Sequence, residues 1–154
     1  MMKKFILVLA LAALASISMA QVAKVEVQGV ETTKAHTRGI SAIVRDGSVG
    51  EAIVVIKAVD EAGNPVAGAA VTWTLKNNKA NPVYAVGTSA SMNLMLERVF
   101  EGQSVEIDGG VTDENGEAYF VVDAGASADA KVYVTVDGVA GKTYRGKDMR
   151  VVWF

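Results

Sequence analysis

The sequence predicts an all-β domain, an antiparallel β-sandwich of about seven to nine strands, preceded by a cleavable signal peptide. Three observations carry this. The segments Asp60-Glu-Ala-Gly-Asn-Pro-Val-Ala-Gly-Ala-Ala-Val-Thr-Trp73 and Val111-Thr-Asp-Glu-Asn-Gly-Glu-Ala-Tyr-Phe120 each set an acidic, glycine-containing turn just before an alternating apolar strand. Short runs of period-two hydrophobicity recur along the chain with turn residues between them. The N-terminus passes from charged to apolar to small residues.

At that N-terminus, Lys3 and Lys4 form a positive region, residues 5–14 a short apolar stretch, and Ser18-Met19-Ala20 a small-x-small cleavage site, so the mature chain is expected to begin at Gln21. The apolar stretch falls short of the roughly 20 residues that a spanning helix needs, so no stable membrane insertion is expected after cleavage. No cysteine lies near the site to take a lipid. The product is expected in the periplasm, at the cell surface or outside the cell. Residues 21–154 then suffice for one domain with its own core.

The strands follow in order. Ala23, Val25 and Val27 alternate with Lys24, Glu26 and Gln28 as a first strand, and residues 29–39 are polar and expected to form a loop. Ile40, Ala42 and Val44 suit a short strand before an Asp46-Gly47 turn. Residues 52–59 are nearly all apolar, which predicts a central strand covered on both faces. At Asp60-Glu-Ala-Gly-Asn-Pro65 the chain must reverse: Asp bonds its own backbone two residues on, Gly and Asn tolerate positive φ, and Pro fixes φ. Val71, Trp73 and Leu75 then form one face of a half-buried strand anchored by the indole. Residues 77–82 turn the chain, and 83–86 suit a short strand. Over 87–100, Met92, Leu94 and Leu96 fit a strand, whereas Met92, Leu96 and Val99 fit a helix face, and periodicity does not choose between them. Val105 and Ile107 lead to Asp108-Gly109-Gly110. After the Asp113–Gly116 turn, Ala118, Phe120 and Val122 point one way and Tyr119, Val121 and Asp123 the other. Val132, Val134 and Val136 form a late strand.

The two turn-and-strand segments resemble bacterial immunoglobulin-like domains of the invasin/intimin type. In those domains an acidic turn with Gly-Asn-Pro-Val-x-Gly and a Val-Thr-aromatic strand comes early, and a Thr-Asp-x-x-Gly-x-Ala turn later. The resemblance spans roughly residues 48–139. Carboxypeptidase-regulatory-like sandwiches use similar turns, but the longer gap between the segments and the Thr72-Trp73-Thr74 strand favour the first family. The resemblance implies an immunoglobulin-like antiparallel sandwich with surface adhesion or spacer roles.

The C-terminal residues 149–154 add a β-prone strand in which Met149, Val151, Trp153 and Phe154 form a candidate assembly strand. Two readings stand: a final edge strand packed on its own domain, or a strand exchanged with a neighbour by β-augmentation. Charge is segregated. Residues 97–137 hold ten acidic and two basic side chains, whereas 138–154 hold Lys142, Arg145, Lys147 and Arg150 against Asp148. This is either a solvated surface or the basis of head-to-tail association.

Catalytic chemistry finds little support. His36 is the only histidine, in a polar stretch, and no nucleophile elbow accompanies it. Cysteine is absent, which removes thiol chemistry, iron–sulfur clusters and cysteine zinc sites. Gly141-Lys142-Thr143 lacks the upstream glycine of a phosphate loop. Asp113-Glu-Asn-Gly116 lacks the ligand spacing of an EF-hand and suits a turn better than calcium. No catalytic residue, metal or cofactor is expected. A net charge of −2, or −4 once Lys3 and Lys4 are removed, with no basic stripe, disfavours nucleic acid. Two functions fit: an exported structural or adhesion-type module that self-assembles through edge strands or joins another surface component, or a soluble module recognising a protein or glycan through end loops.

Overall fold

The computed structural model describes residues 21–30, 35–37, 42–45, 51–91, 97–124 and 126–153. Among these there is no helix. Twelve strands follow one another: β1 (Lys24–Val30), β2 (Ala35–Thr37), β3 (Ala42–Arg45), β4 (Ala52–Val59), β5 (Ala70–Asn77), β6 (Val83–Thr88), β7 (Glu97–Val99), β8 (Ser104–Val111), β9 (Glu117–Ala124), β10 (Ala128–Val136), β11 (Val139–Lys142) and β12 (Met149–Trp153). They form one mixed sheet. Ten lie on the path β2-β3-β12-β10-β11-β1-β4-β9-β6-β7, while β5 pairs with β10 and β8 with β5.

The mixed pairing and the strand count correct the expectation of a purely antiparallel domain of seven to nine strands. Two pairs are parallel, β1 with β11 and β3 with β12. Each joins a strand from the start of the chain to one from its end. No hairpin connects such strands, so nothing forces them antiparallel. The extra strands come partly from subdivision at the C-terminus. Val136 and Thr135 pair with β11, Val132 to Ala128 pair with β12, and residues 143–148 leave the strand line between the two pairings.

The sheet turns at β11, which bonds to both β10 and β1, so that its halves face each other. Backbones crowd at this seam. A Cβ at Gly141 would run into Val134, Val27 and Val25, so glycine is the residue that fits. Trp73 on β5 and Phe120 on β9 meet across the interior with ring centroids 5.3 Å apart. Such a pair contributes about 0.5–1.5 kcal/mol beyond its burial. Val27, Val54, Ile56, Val71, Leu75, Val132, Val136, Met149, Val151 and Trp153 complete the core.

The alternating faces expected of β5, β9 and β10 are present, with Val121 of β9 buried as well; in β1 Val25 and Val27 share the buried face, whereas Ala23 precedes the strand and is exposed. Strand β4 differs. Ala52, Val54, Ile56 and Ala58 are fully buried while the intervening residues are partly or fully exposed, so one face only is covered. Its apolar outer face is that of a central strand, flanked by β1 and β9. The polar stretch expected to be a loop contributes the end of β1 and all of β2, which includes His36. Val99 lies on strand β7, whereas Met92, Leu94 and Leu96 lie outside the described residues, as do residues 1–20, expected to be a signal peptide, Asp46 and Gly47, expected to form a turn, Ile40 and Phe154.

Candidate interaction edges

The residues with the most chemical capacity are consumed by turns. Asp60 Oδ1 accepts from the amides of Ala62 and Asn64, both at 2.9 Å. Asp113 Oδ1 accepts from Asn115 and Glu117, also at 2.9 Å. In both turns the first residue's amide donates to the fifth carbonyl, and the fourth residue, Gly63 or Gly116, donates to the first carbonyl. That glycine has positive φ, 84° and 72° respectively. This is a type I turn closed by a left-handed glycine. The turn Thr143-Tyr-Arg-Gly-Lys147 repeats the same backbone bonds, with the Thr143 hydroxyl accepting from Lys147 in place of the carboxylate.

The two signature segments also touch. Buried Thr112 donates its hydroxyl to the Val66 carbonyl at 2.7 Å and accepts from the Ala69 amide at 3.0 Å. Gly116 donates nothing to spare: its amide serves the turn, and its carbonyl accepts from Ala58. A Cβ on Gly116 would fall on the Ala58 carbonyl oxygen. Sequence reasoning found the two turns separately and missed Thr112. The signal available was the threonine preceding Asp113, a residue able to donate and accept at once.

The candidate assembly strand lies inside the chain's own sheet. Strand β12 pairs antiparallel with β10 and parallel with β3, and Met149, Val151 and Trp153 are buried. Arg150 on its other face forms a two-armed ion pair with Asp129, which is only 3% exposed. The Asp129 hydrogen bond and charge raise the Arg150 pKa above the ordinary arginine range. The basic C-terminal region is therefore split. Arg150 serves the strand pairing, whereas Lys142 pairs with Asp148 at the base of the 143–148 excursion and Arg145 lies over the Tyr144 ring at 5.9 Å.

Three strands have a side that no described residue pairs: β2, β7 and β8. Of these β8 is the longest, eight residues, and it is acidic, with Glu106 and Asp108 exposed and Glu101 just before it. A cavity of about 370 Å³ opens between β7 and the start of β8, lined by Glu97, Arg98, Val99, Gln103, Ser104 and Val105. Arg98 is flanked by Tyr84 and Phe100, with ring centroids 5.6 and 5.7 Å from its guanidinium carbon. Phe100 is 50% exposed and Val111 58%, so apolar surface borders the acidic edge at both ends. Among the described residues no group of three or more histidine, cysteine or acidic side chains is arranged to hold a metal.

No protein-family model matches the chain, and no curated protein matches it. A solved structure, a conjugative transposon lipoprotein from Bacteroides eggerthii DSM 20697, is similar over 85% of this chain and 97% of its own, with 7% identity and a TM-score of 0.41. A likeness of that degree carries no argument about this chain.

Proposed function

We propose that the chain is an exported, non-catalytic structural or adhesion-type module, an immunoglobulin-like sandwich of the invasin/intimin kind that acts through protein contacts at its sheet edges and associates with itself. The observation that carries this reading is the eight-residue β8 edge, which no described residue pairs on its outer side, beside a groove. The carboxylates of Asp60, Asp113 and Asp129, by contrast, are taken up by turns and an ion pair. An unpaired strand edge is a template for another chain. The sandwich reading draws on the half-sheet β1-β4-β9-β6 facing β11-β10-β5-β8 through Trp73 and Phe120. Export draws on the Lys3-Lys4, apolar and Ser18-Met19-Ala20 pattern. Between the two candidate edges, β8 is favoured over β12, because β12 has partners on both sides.

The test is sedimentation velocity of the chain beginning at Gln21, over a concentration series, with negative-stain microscopy of the most concentrated samples. Concentration-dependent oligomers or filaments are expected. A monomer at every concentration would refute self-association. The alternative reading, a module recognising a protein or glycan through its end loops, is weaker because Thr112, Gly116 and Asp137 tie the loops at that end to one another.

A further inference from the structure

Two exposed segments carry unpaired charge of opposite sign. On the turn between β11 and β12, Tyr144, Arg145, Gly146 and Lys147 are exposed, Tyr144 by 60%. Lys142 at its base is paired with Asp148, whereas Arg145 and Lys147 pair with no described acid. From β7 into β8, Glu97, Glu101 and Glu106 are exposed and pair with no described base. Two bases stand near them, Arg98 between the Tyr84 and Phe100 rings and Lys76 opposite Ser104 on β5, and with exposed Asp108 the acids are in excess.

The basic turn is held in one shape. The Thr143 amide donates to the Lys147 carbonyl and the Gly146 amide to the Thr143 carbonyl, both at 2.8 Å, and buried Thr143 and Met149 anchor its ends. Docking it therefore costs little further ordering. The turn follows β11, the strand through which the two halves of the sheet join, whereas β7 and β8 are the strands where those halves end. Strands β10 and β5 lie between β11 and β8, a separation of three sheet spacings or about 14 Å. No ion pair joins the two segments within the chain. A contact of the acidic segment with its equivalent in a second copy would set Glu101 and Glu106 against themselves, which like charge disfavours. The basic turn is its complement.

From this we infer that copies of the chain join head to tail, the 144–147 turn of one docking on the 97–106 segment of the next. This rests on the self-association proposed above and names the surfaces that carry it. Arg145 and Lys147 supply the cations for Glu101 and Glu106, and the exposed rings of Tyr144 and Phe100 cover each other. The cavity of about 370 Å³ between β7 and the start of β8 gives room for a side chain of the turn. Because the two surfaces differ and lie on opposite flanks of the domain, the contact is heterologous and repeats from copy to copy. Its charge component sets specificity and is screened by salt.

The experiment uses two charge-reversed forms of the chain beginning at Gln21: Arg145→Glu/Lys147→Glu on the turn and Glu101→Lys/Glu106→Lys on the acidic segment. Thermal unfolding close to that of the parent establishes that each is folded. Should either unfold, Arg145→Gln/Lys147→Gln or Glu101→Gln/Glu106→Gln takes its place, and weakened association alone is the readout. In sedimentation velocity each reversed form alone sets like charges together, and its self-association is expected to be at least about tenfold weaker than the parent's. In an equimolar mixture both contacts are again complementary, acidic turn on basic segment and basic turn on acidic segment, so association should return with the two forms alternating. A form that associates alone as tightly as the parent overturns the contact. So does a mixture no more associated than its components while the parent assembles; self-association stands in both cases. If the turn variant assembles like the parent but loses the parent's binding to vesicles containing phosphatidylglycerol, the turn serves an anionic membrane surface and the proposal falls. A parent chain that is monomeric at every concentration removes the reading beneath it.

Discussion

Asn77 offers the sharpest test of how the β8 edge is held. The side chain is fully buried at the end of β5, in a position where the chain must cross between the two halves of the sheet. Its Nδ2 donates to the carbonyls of Asn81 at 2.8 Å and Val99 at 2.9 Å, and its Oδ1 accepts from the Lys79 amide at 2.9 Å. Its own backbone bonds to Gln103 and Gly102, which lead into β8. Replacing it by leucine keeps the volume and removes all three side-chain bonds. The exposed partners, Asn81 and Lys79, can turn to water and lose about 0.5–1 kcal/mol each, whereas the Val99 carbonyl is left buried at about 1–3 kcal/mol. The sum is about 3 kcal/mol, or a fall of about 10 °C in Tm for a domain of this size.

Asn77→Asp separates hydrogen bonding from shape. It sets a carboxylate oxygen against two carbonyl oxygens, so at neutral pH it should be worse than leucine. Burial and the missing donors raise the carboxyl pKa in the folded state. The folded form then binds more protons than the unfolded, so its stability increases as the pH falls through the raised value. Urea unfolding at several pH values reads this directly. If Asn77→Leu loses less than about 1 kcal/mol, or Asn77→Asp matches the parent at neutral pH, the account of the crossing is wrong.

Three further outcomes follow from the same structure. Gly116→Ala should cost several-fold more stability than Gly63→Ala, because both have positive φ but only Gly116 lies against a carbonyl, and paired thermal melts compare them. Arg150→Leu leaves Asp129 buried without its partner; Arg150 is half exposed, so the loss should be about 1–3 kcal/mol. The raised Arg150 pKa means that its contribution is fully present below the ordinary arginine range, so the loss should be flat from near-neutral to moderately alkaline pH in urea titrations. Gly109→Ala should perturb tryptophan fluorescence, because the new methyl would come within 2.6 Å of the Trp73 indole.

Local chemistry was legible in the sequence where one residue type has one use. Asp60 and Asp113 announce their turns, and Trp73 announces a core strand, because neighbouring residues alone decide them. What depends on distant partners was not. The terminal strand read as an edge, yet β3, a hundred residues earlier in the chain, covers its outer side. Residues 52–59 read as doubly covered because apolar content does not distinguish a second buried face from a half-exposed one. The turn at Thr143 repeats the geometry of the other two, but threonine in place of aspartate hid the repeat. Edge availability is a property of the whole sheet, so β8, one side of which no described residue pairs, could be recognised only from the pairing order.

The most direct test of the edge account is hydrogen–deuterium exchange of the chain beginning at Gln21, compared between dilute and assembled samples. The account predicts that peptides covering Ser104–Val111 gain protection on assembly, while those covering the already paired Ala128–Val136 do not change. Protection that appears elsewhere, with Ser104–Val111 exchanging as fast in the assembly as in the monomer, would contradict it.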